Sequence, residues 1–319
     1  MEIMKKDQTI KNWIQLIIAV LFITIPVALI AQEETTEAVA PEPEKAESKP
    51  VRTPFQAGTL IESQTYVVFP KNTLVFDMQH RFGPLNNNAI NTDDFDLGGL
   101  YGPSNIRMGL TYVVIDNLQI GLGTTKNRLL QDLNWKYSIL TQKRENGSPI
   151  ALTYYGNFVY DASKKSNFED KYTEYKEIHR ISYFHQLIVG RKFTDDLTVQ
   201  VMLNYAHFNL VDTIQRNPAE PPYANDAKHD NFGIGLGGRY KFSPQGSVMF
   251  EYEHPLTTPE NIKPNLSIGV EFATSSHAFQ IFLTTYSSLV YQHNLAYNTN
   301  DFTDKGLRLG FNITRNWNF

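Results

Sequence analysis

The feature that most constrains this chain is a strict alternation of apolar and polar residues. It recurs in segments of about ten from near residue 70 to the last residue. A period of two belongs to a strand with one apolar face. The clearest segment is the last, where Leu307, Leu309, Phe311, Ile313, Trp317 and Phe319 alternate with Arg308, Gly310, Asn312, Thr314, Asn316 and Asn318. The same dyad opposes Ile106, Met108, Leu110, Tyr112 and Val114 to Asn105, Arg107, Gly109 and Thr111. It returns where Phe232, Ile234, Leu236, Tyr240 and Phe242 oppose Asn231, Gly233, Gly235, Gly237, Arg239 and Lys241. One face suits lipid and the other water. Beyond residue 70 no apolar run is long enough for a helix to span a bilayer, which takes about 18 residues or more.

Extended along the chain, the pattern predicts about 12 strands, near 72–82, 104–114, 117–126, 132–142, 150–161, 179–193, 197–209, 230–242, 247–254, 265–274, 278–287 and 306–319. An even count is what a closed bacterial barrel requires. The connections nearly alternate in length, as they do between periplasmic turns and extracellular loops. Those around 116–117, 144–149, 194–196, 243–246 and 275–277 are short, those at 83–103, 162–178, 210–229 and 288–305 are long, and 255–264 is intermediate; 127–131 breaks the rule. A soluble sandwich would bury one face of each strand in a second sheet, and here the less apolar face carries Gly, Asn, Gln, Arg and Glu. The expected fold is therefore all-β, a single closed antiparallel transmembrane β-barrel in the cell outer membrane, with both termini periplasmic.

Residues 1–31 have the layout of a signal peptide: Lys5, Lys6 and Lys11 precede an apolar run from Trp13 to Ala31. Cleavage is expected after Ala31, with an uncleaved inner-membrane anchor as the alternative. Residues 32–56 are rich in Glu, Pro, Ala, Lys and Thr and read as a disordered periplasmic linker. The barrel domain is expected over 57–319. Whether 57–70 adds a strand or tucks into the lumen stays open from sequence.

Aromatic residues make up 13% of the chain, including 17 Tyr and 20 Phe, enough for the two interfacial girdles of a membrane barrel. Cysteine is absent, which excludes thiolate metal sites, thiol catalysis and a lipidated Cys anchor. A mean hydropathy of −0.34 excludes a helical-bundle membrane protein. The net charge of −4, with no basic stripe among the aromatics, argues against nucleic acid as a partner.

The strings HRFG at 80–83, HRISYFHQLIVGRKF at 179–193, GIGLGGRYKF at 233–242, SHAFQIFLTTYSS at 276–288 and GLRLGFNITR at 306–315 resemble a bacterial family, domain of unknown function 5777. The resemblance spans about residues 57 to 319 and preserves order. It implies an outer-membrane β-barrel and brings no activity, ligand or catalytic residue.

Alternation turns Asp77, Arg81, Arg107, Lys136, Arg180, Lys192, Arg239, Lys241, Glu251, Glu253, Glu271 and Arg308 inward as lumen-lining charges. Charges confined in this way need ionic partners or water. Strand parity across the turn at 243–246 places Arg239 opposite Glu251 as an expected ion pair; a slip of one pair places it opposite Met249 or Glu253. Phe311, Trp317 and Phe319 form the expected assembly signal, read by the barrel-insertion machinery. The eight histidines show no metal-binding spacing, and Ser182, Ser276 and Ser287 stand in no G-x-S-x-G elbow. No cofactor, metal or enzyme activity is expected. The expected function is a narrow pore or binding barrel for a small solute, with the cationic excess favouring anions. The alternative is a structural or accessory barrel that engages other envelope proteins without transporting anything.

Overall fold

In a computed structural model, residues 48–319 are described except 86–98, 101, 170–173, 212–227, 258–260 and 305. The expected signal peptide and most of the expected linker lie outside the described residues, as do parts of the predicted long loops. Twelve strands run in order: β1 (Thr73–Pro84), β2 (Asn105–Ile115), β3 (Leu118–Thr125), β4 (Leu130–Leu140), β5 (Ala151–Asp161), β6 (Ile181–Lys192), β7 (Leu197–Phe208), β8 (Asp230–Lys241), β9 (Gly246–Pro255), β10 (Asn265–Ala273), β11 (His277–Thr284) and β12 (Arg308–Asn318). Each pairs antiparallel with its neighbours in sequence, and β1 pairs with β12 to close the barrel. All twelve coincide with the predicted segments. The ends differ by a few residues, β4 starting at Leu130 and β11 stopping at Thr284.

The alternation is reproduced as an inside-out distribution of polarity. Met108, Leu110, Tyr112 and Val114 of β2 are exposed on the outer face, as are Phe232, Leu236 and Tyr240 of β8 and Ile268 and Phe272 of β10. Inward positions bury polar groups instead: Gln186, Gln200, Asn204, Glu251 and Thr284 are each at most 3% exposed. A continuous exposed apolar surface is stable only in contact with lipid.

The lumen is filled. Residues 57–70, left open by the sequence, do not add a thirteenth strand; together with 52–56, which the sequence assigned to the disordered linker, they enter the barrel as an irregular inserted segment, with Phe55 buried. Its Phe55, Leu60, Ile61 and Tyr66 pack with Ile188, Met202, Met249 and Phe282 of the inner wall. The 288–305 connection, expected to be an outward loop, instead contributes a short helix, α1 (Tyr291–Tyr297). Its Leu295 and Ala296 pack against Tyr155, Phe184, Ala206 and Phe208. Seven residues make an unstable helix in isolation, so α1 is held by this tertiary packing. The sequence signal for it was weak: Leu289, Val290 and Leu295 in an otherwise polar loop.

Glycines on the inner parity make room for these insertions. A Cβ on Gly237 would lie 2.6 Å from Leu60 Cδ2, and one on Gly190 would lie 2.0 Å from the Tyr66 ring. Residues 52–141 and 150–319 form this barrel unit; a small separate unit contains 48–51 with the turn 142–149. Within the small unit Pro50 bridges Lys143 antiparallel, and the Arg144 N–H donates to the Lys49 carbonyl at 3.0 Å.

Gly190→Val drives a methyl group into the Tyr66 ring and is expected to destabilise the barrel by about 1–3 kcal/mol, the usual cost of overpacking. The temperature at which the purified barrel loses its compact gel mobility should fall. Adding Tyr66→Ala should restore most of the loss, because the vacated ring volume accepts the valine.

Candidate functional site

The site is the interface between the inner wall and the inserted segment, and it is built on one requirement. An irregular segment inside a barrel has no ladder to satisfy its peptide groups, so side chains of the wall must do it. Lys136 Nζ on β4 donates to the carbonyls of Gly58 at 2.9 Å and Val67 at 3.2 Å. Gln280 on β11 donates to Thr59 O, and Asn312 on β12 donates to Ile61 O at 2.8 Å. Gln200 on β7 imitates a strand: its Nε2 donates to Gln64 O at 2.8 Å, and its Oε1 accepts the Tyr66 N–H at 3.3 Å. Thr153 on β5 donates to Tyr66 O, and Arg239 on β8 to Thr53 O.

The densest group surrounds Glu251 of β9. Its carboxylate accepts the N–H groups of Ile61 at 3.3 Å, Glu62 at 3.0 Å and Ser63 at 2.8 Å, together with the Ser63 and Tyr286 hydroxyls. Three successive N–H groups on one anion form a nest for negative charge. Among the described residues Glu251 and Lys136 each lie fully buried without an oppositely charged side chain at contact distance. Peptide dipoles of the inserted segment compensate both.

Most of the other sequence-predicted lumen residues are inside as well, with partners that parity alone did not give; Arg180 is not, because it lies in the turn Glu177–Arg180 before β6 and binds Tyr175 and Glu177. Arg107 holds Asp132 through two hydrogen bonds of 2.8 and 2.6 Å, and Arg81 pairs with Glu62 at 2.7 Å. Asp77 accepts from Thr314 at 2.8 Å, and Glu253 accepts from Asn204 and Asn265. Arg308 is on the inner parity of β12, where its buried Nε has no partner among the described residues. Asp132 and Glu62 were missed. Asp132 shares the parity of Lys136 and was legible; Glu62 acquires its role only because its segment enters the lumen.

The expected Arg239–Glu251 pair does not form. Arg239 sits opposite Met249, and Glu251 opposite Gly237. The turn sets this register: the Phe242 and Ser243 N–H groups both donate to Gly246 O, and the Ser243 hydroxyl accepts the Gly246 N–H. Arg239 instead pairs with Glu271 of β10 at 3.1 Å, both side chains almost fully buried.

Between the segment and β1–β5 lies a small polar cavity of about 20 Å³, enough for a water molecule. Asp77, Arg107, Gln119, Asn134 and Tyr155 line it, and the Gln119 Oε1 has no partner among the described residues. Among the described residues no group of three or more His, Asp or Glu could hold a metal ion. His80, by contrast, stacks on Phe311 at 4.9 Å, and His185 stacks on Tyr205 at 5.8 Å. At the chain end Phe319 is 80% exposed, and the Arg315 guanidinium lies 4.9 Å from the Trp317 ring centre.

Arg239→Ala and Glu271→Ala should each destabilise the barrel more than the double substitution, because a lone buried charge loses its compensation. A double-mutant cycle on urea resistance should give a coupling of about 0.5–3 kcal/mol. The cycle for Arg239 and Glu251 should give much less.

The sequence profile of the family described as "Membrane bound beta barrel domain (DUF5777)" matches residues 55–317. No curated protein matches the sequence. Solved structures similar to this chain include the KdgM porin, with a TM-score of 0.41 and 7% identity over 77% of this chain and 99% of that one. The NanC porin gives 0.45 and 9% over 77% and 100%. An outer membrane channel from Pseudomonas putida F1 gives 0.45 and 12% over 79% and 98%. With the profile spanning most of the inserted segment and nearly all of the twelve strands, this chain belongs to the DUF5777 family of membrane-bound β-barrels.

Proposed function

We propose that this chain is an outer-membrane barrel whose narrow lumen admits a small polar solute and is closed by the chain's own residues 52–70. The observation that carries this reading is the character of the inner wall. Its side chains grip the inserted segment through hydrogen bonds donated by Lys136, Gln200, Gln280 and Asn312 and accepted by Glu251, so the wall stays hydrophilic once the segment leaves. Barrels of about eight strands fill with side chains and those of about 16 conduct water, so twelve strands leave a lumen of intermediate width, filled here by the inserted segment and α1. The sign of the solute's charge is not set by a cationic excess: Arg81, Arg107 and Arg239 are already paired with carboxylates.

A second reading has its own support. The inserted segment and α1 both occupy the lumen, as expected of a structural barrel that engages envelope proteins and transports nothing. Planar-bilayer conductance separates the two. The full chain should conduct little, and a Leu60→Ala, Ile61→Ala variant, which loses two apolar anchors of the segment, should raise open-state occupancy at least tenfold. No current from the variant, while it retains compact gel mobility, would favour the structural reading.

The proposed orientation places both termini in the periplasm, lipid around the outer face, and the insertion machinery as the partner that reads Phe311, Trp317 and Phe319. The chain contains no cysteine, so single thiols report cleanly. An impermeant thiol reagent on intact cells should label Ser166→Cys and leave Pro244→Cys unlabelled; the reverse would invert the orientation.

A further inference from the structure

We infer that the lumen is a binding site for a short zwitterionic peptide, and that residues 58–67 occupy it as an internal stand-in. This rests on the reading of the lumen as a solute site and names the class of solute.

The wall reads peptide groups in both senses. Carbonyls of Gly58, Thr59, Ile61, Gln64, Tyr66 and Val67 each meet a side-chain donor, and N–H groups of Ile61, Glu62, Ser63 and Tyr66 each meet a side-chain acceptor. A simple inorganic ion offers no such repeat of donors and acceptors. The pattern fits a polypeptide backbone.

Two charged side chains hold the segment, Lys136 at both of its ends, Gly58 and Val67, and Glu251 at its middle, 61–63. Glu251 on β9 collects N–H groups, and Lys136 on β4 collects carbonyls; the two strands are five apart one way round the twelve-strand ring and seven apart the other. They lie on opposite sides of the ring, and neither forms a salt bridge among the described residues, although Asp77 lies close enough to act on Lys136. The stretch from Gly58, held by Lys136, to Ile61, held by Glu251, is three residue steps, at most about 11 Å between Cα atoms. An extended tripeptide separates its ammonium and carboxylate by a similar length, about 10 Å.

A free peptide running opposite to the 58–61 stretch would make a stronger bond at each end. Its ammonium replaces the N–H groups on Glu251, and its carboxylate replaces the carbonyls on Lys136. Charge-assisted hydrogen bonds are roughly twice as strong as neutral ones. The segment prevails while attached because its effective concentration is high. Loosening it should let the peptide in.

The test uses the full chain carrying Leu60→Ala and Ile61→Ala, and independently one carrying Tyr66→Ala, each first shown to keep compact gel mobility. Calorimetry compares triglycine with N-acetyl-triglycine amide, which has the same backbone and no end charges. Triglycine should bind at least tenfold tighter than the capped form, and Glu251→Gln or Lys136→Met added to either loosened chain should abolish that preference. Equal affinities, no triglycine binding to either loosened chain, or a preference that survives both added substitutions would overturn the inference. Current without a triglycine preference rejects the peptide site and leaves the conduit standing. Triglycine binding without current supports the site and rejects the conduit.

Discussion

A peptide group enclosed by a membrane barrel must find a partner inside the protein, because neither the lipid nor a filled lumen supplies bulk water. The strands meet this requirement by closing β1 onto β12, which leaves no unpaired edge. The inserted segment cannot, since it forms only a few internal bonds, such as the Leu60 N–H to Ser63 O and the Thr65 N–H to Gly58 O. The inner wall therefore carries groups that serve a backbone: Gln200 and Lys136 each touch two of its peptide units, and Glu251 touches three. Much of the polar composition of the inward face follows from this one need.

The same enclosure divides the buried charges into two groups. Arg107 with Asp132, Arg239 with Glu271 and Arg81 with Glu62 are compensated by full charges, two of the pairs within the wall and one between wall and segment. Lys136, Glu251 and Glu253 are held by hydrogen bonds to neutral groups. A buried charge held by hydrogen bonds to neutral groups is the more dependent on its surroundings, since removing those groups restores the full desolvation cost. The wall and the segment thus stabilise each other, and Lys136 and Glu251, which hold the segment directly, mark where a competitor for it would gain most.

Space is shared in the same reciprocal way. Gly190 and Gly237 lack side chains where Tyr66 and Leu60 press against the wall, so the volumes of wall and segment complement each other. The apolar cluster of Phe55, Leu60, Ile61 and Tyr66 with Met202 and Met249 is a small core placed inside a polar tube. It orients the segment, while the hydrogen bonds fix its register against the wall.

The sequence alone determined the barrel. Period-two alternation in each strand, the even count and the near alternation of loop lengths are local signals, and all twelve strands are where they pointed. It also determined which charges turn inward, because parity along a strand is a local property, and Asp77, Arg81, Arg107, Lys136, Arg239, Glu251, Glu253, Glu271 and Arg308 share the inner face. Tertiary structure decided who meets whom. The Arg239 pairing depended on one turn, since a shift of a single pair moves a side chain from Glu251 to Met249 without changing its face. The inserted segment and α1 were beyond reach because neither has a periodic pattern of its own; residues 52–70 and 291–297 are ordered by contacts with wall residues distant in sequence. A chain can write the parity of a wall into each strand, but what fills the lumen is settled only when the ring closes and its inward donors, acceptors and voids are brought together.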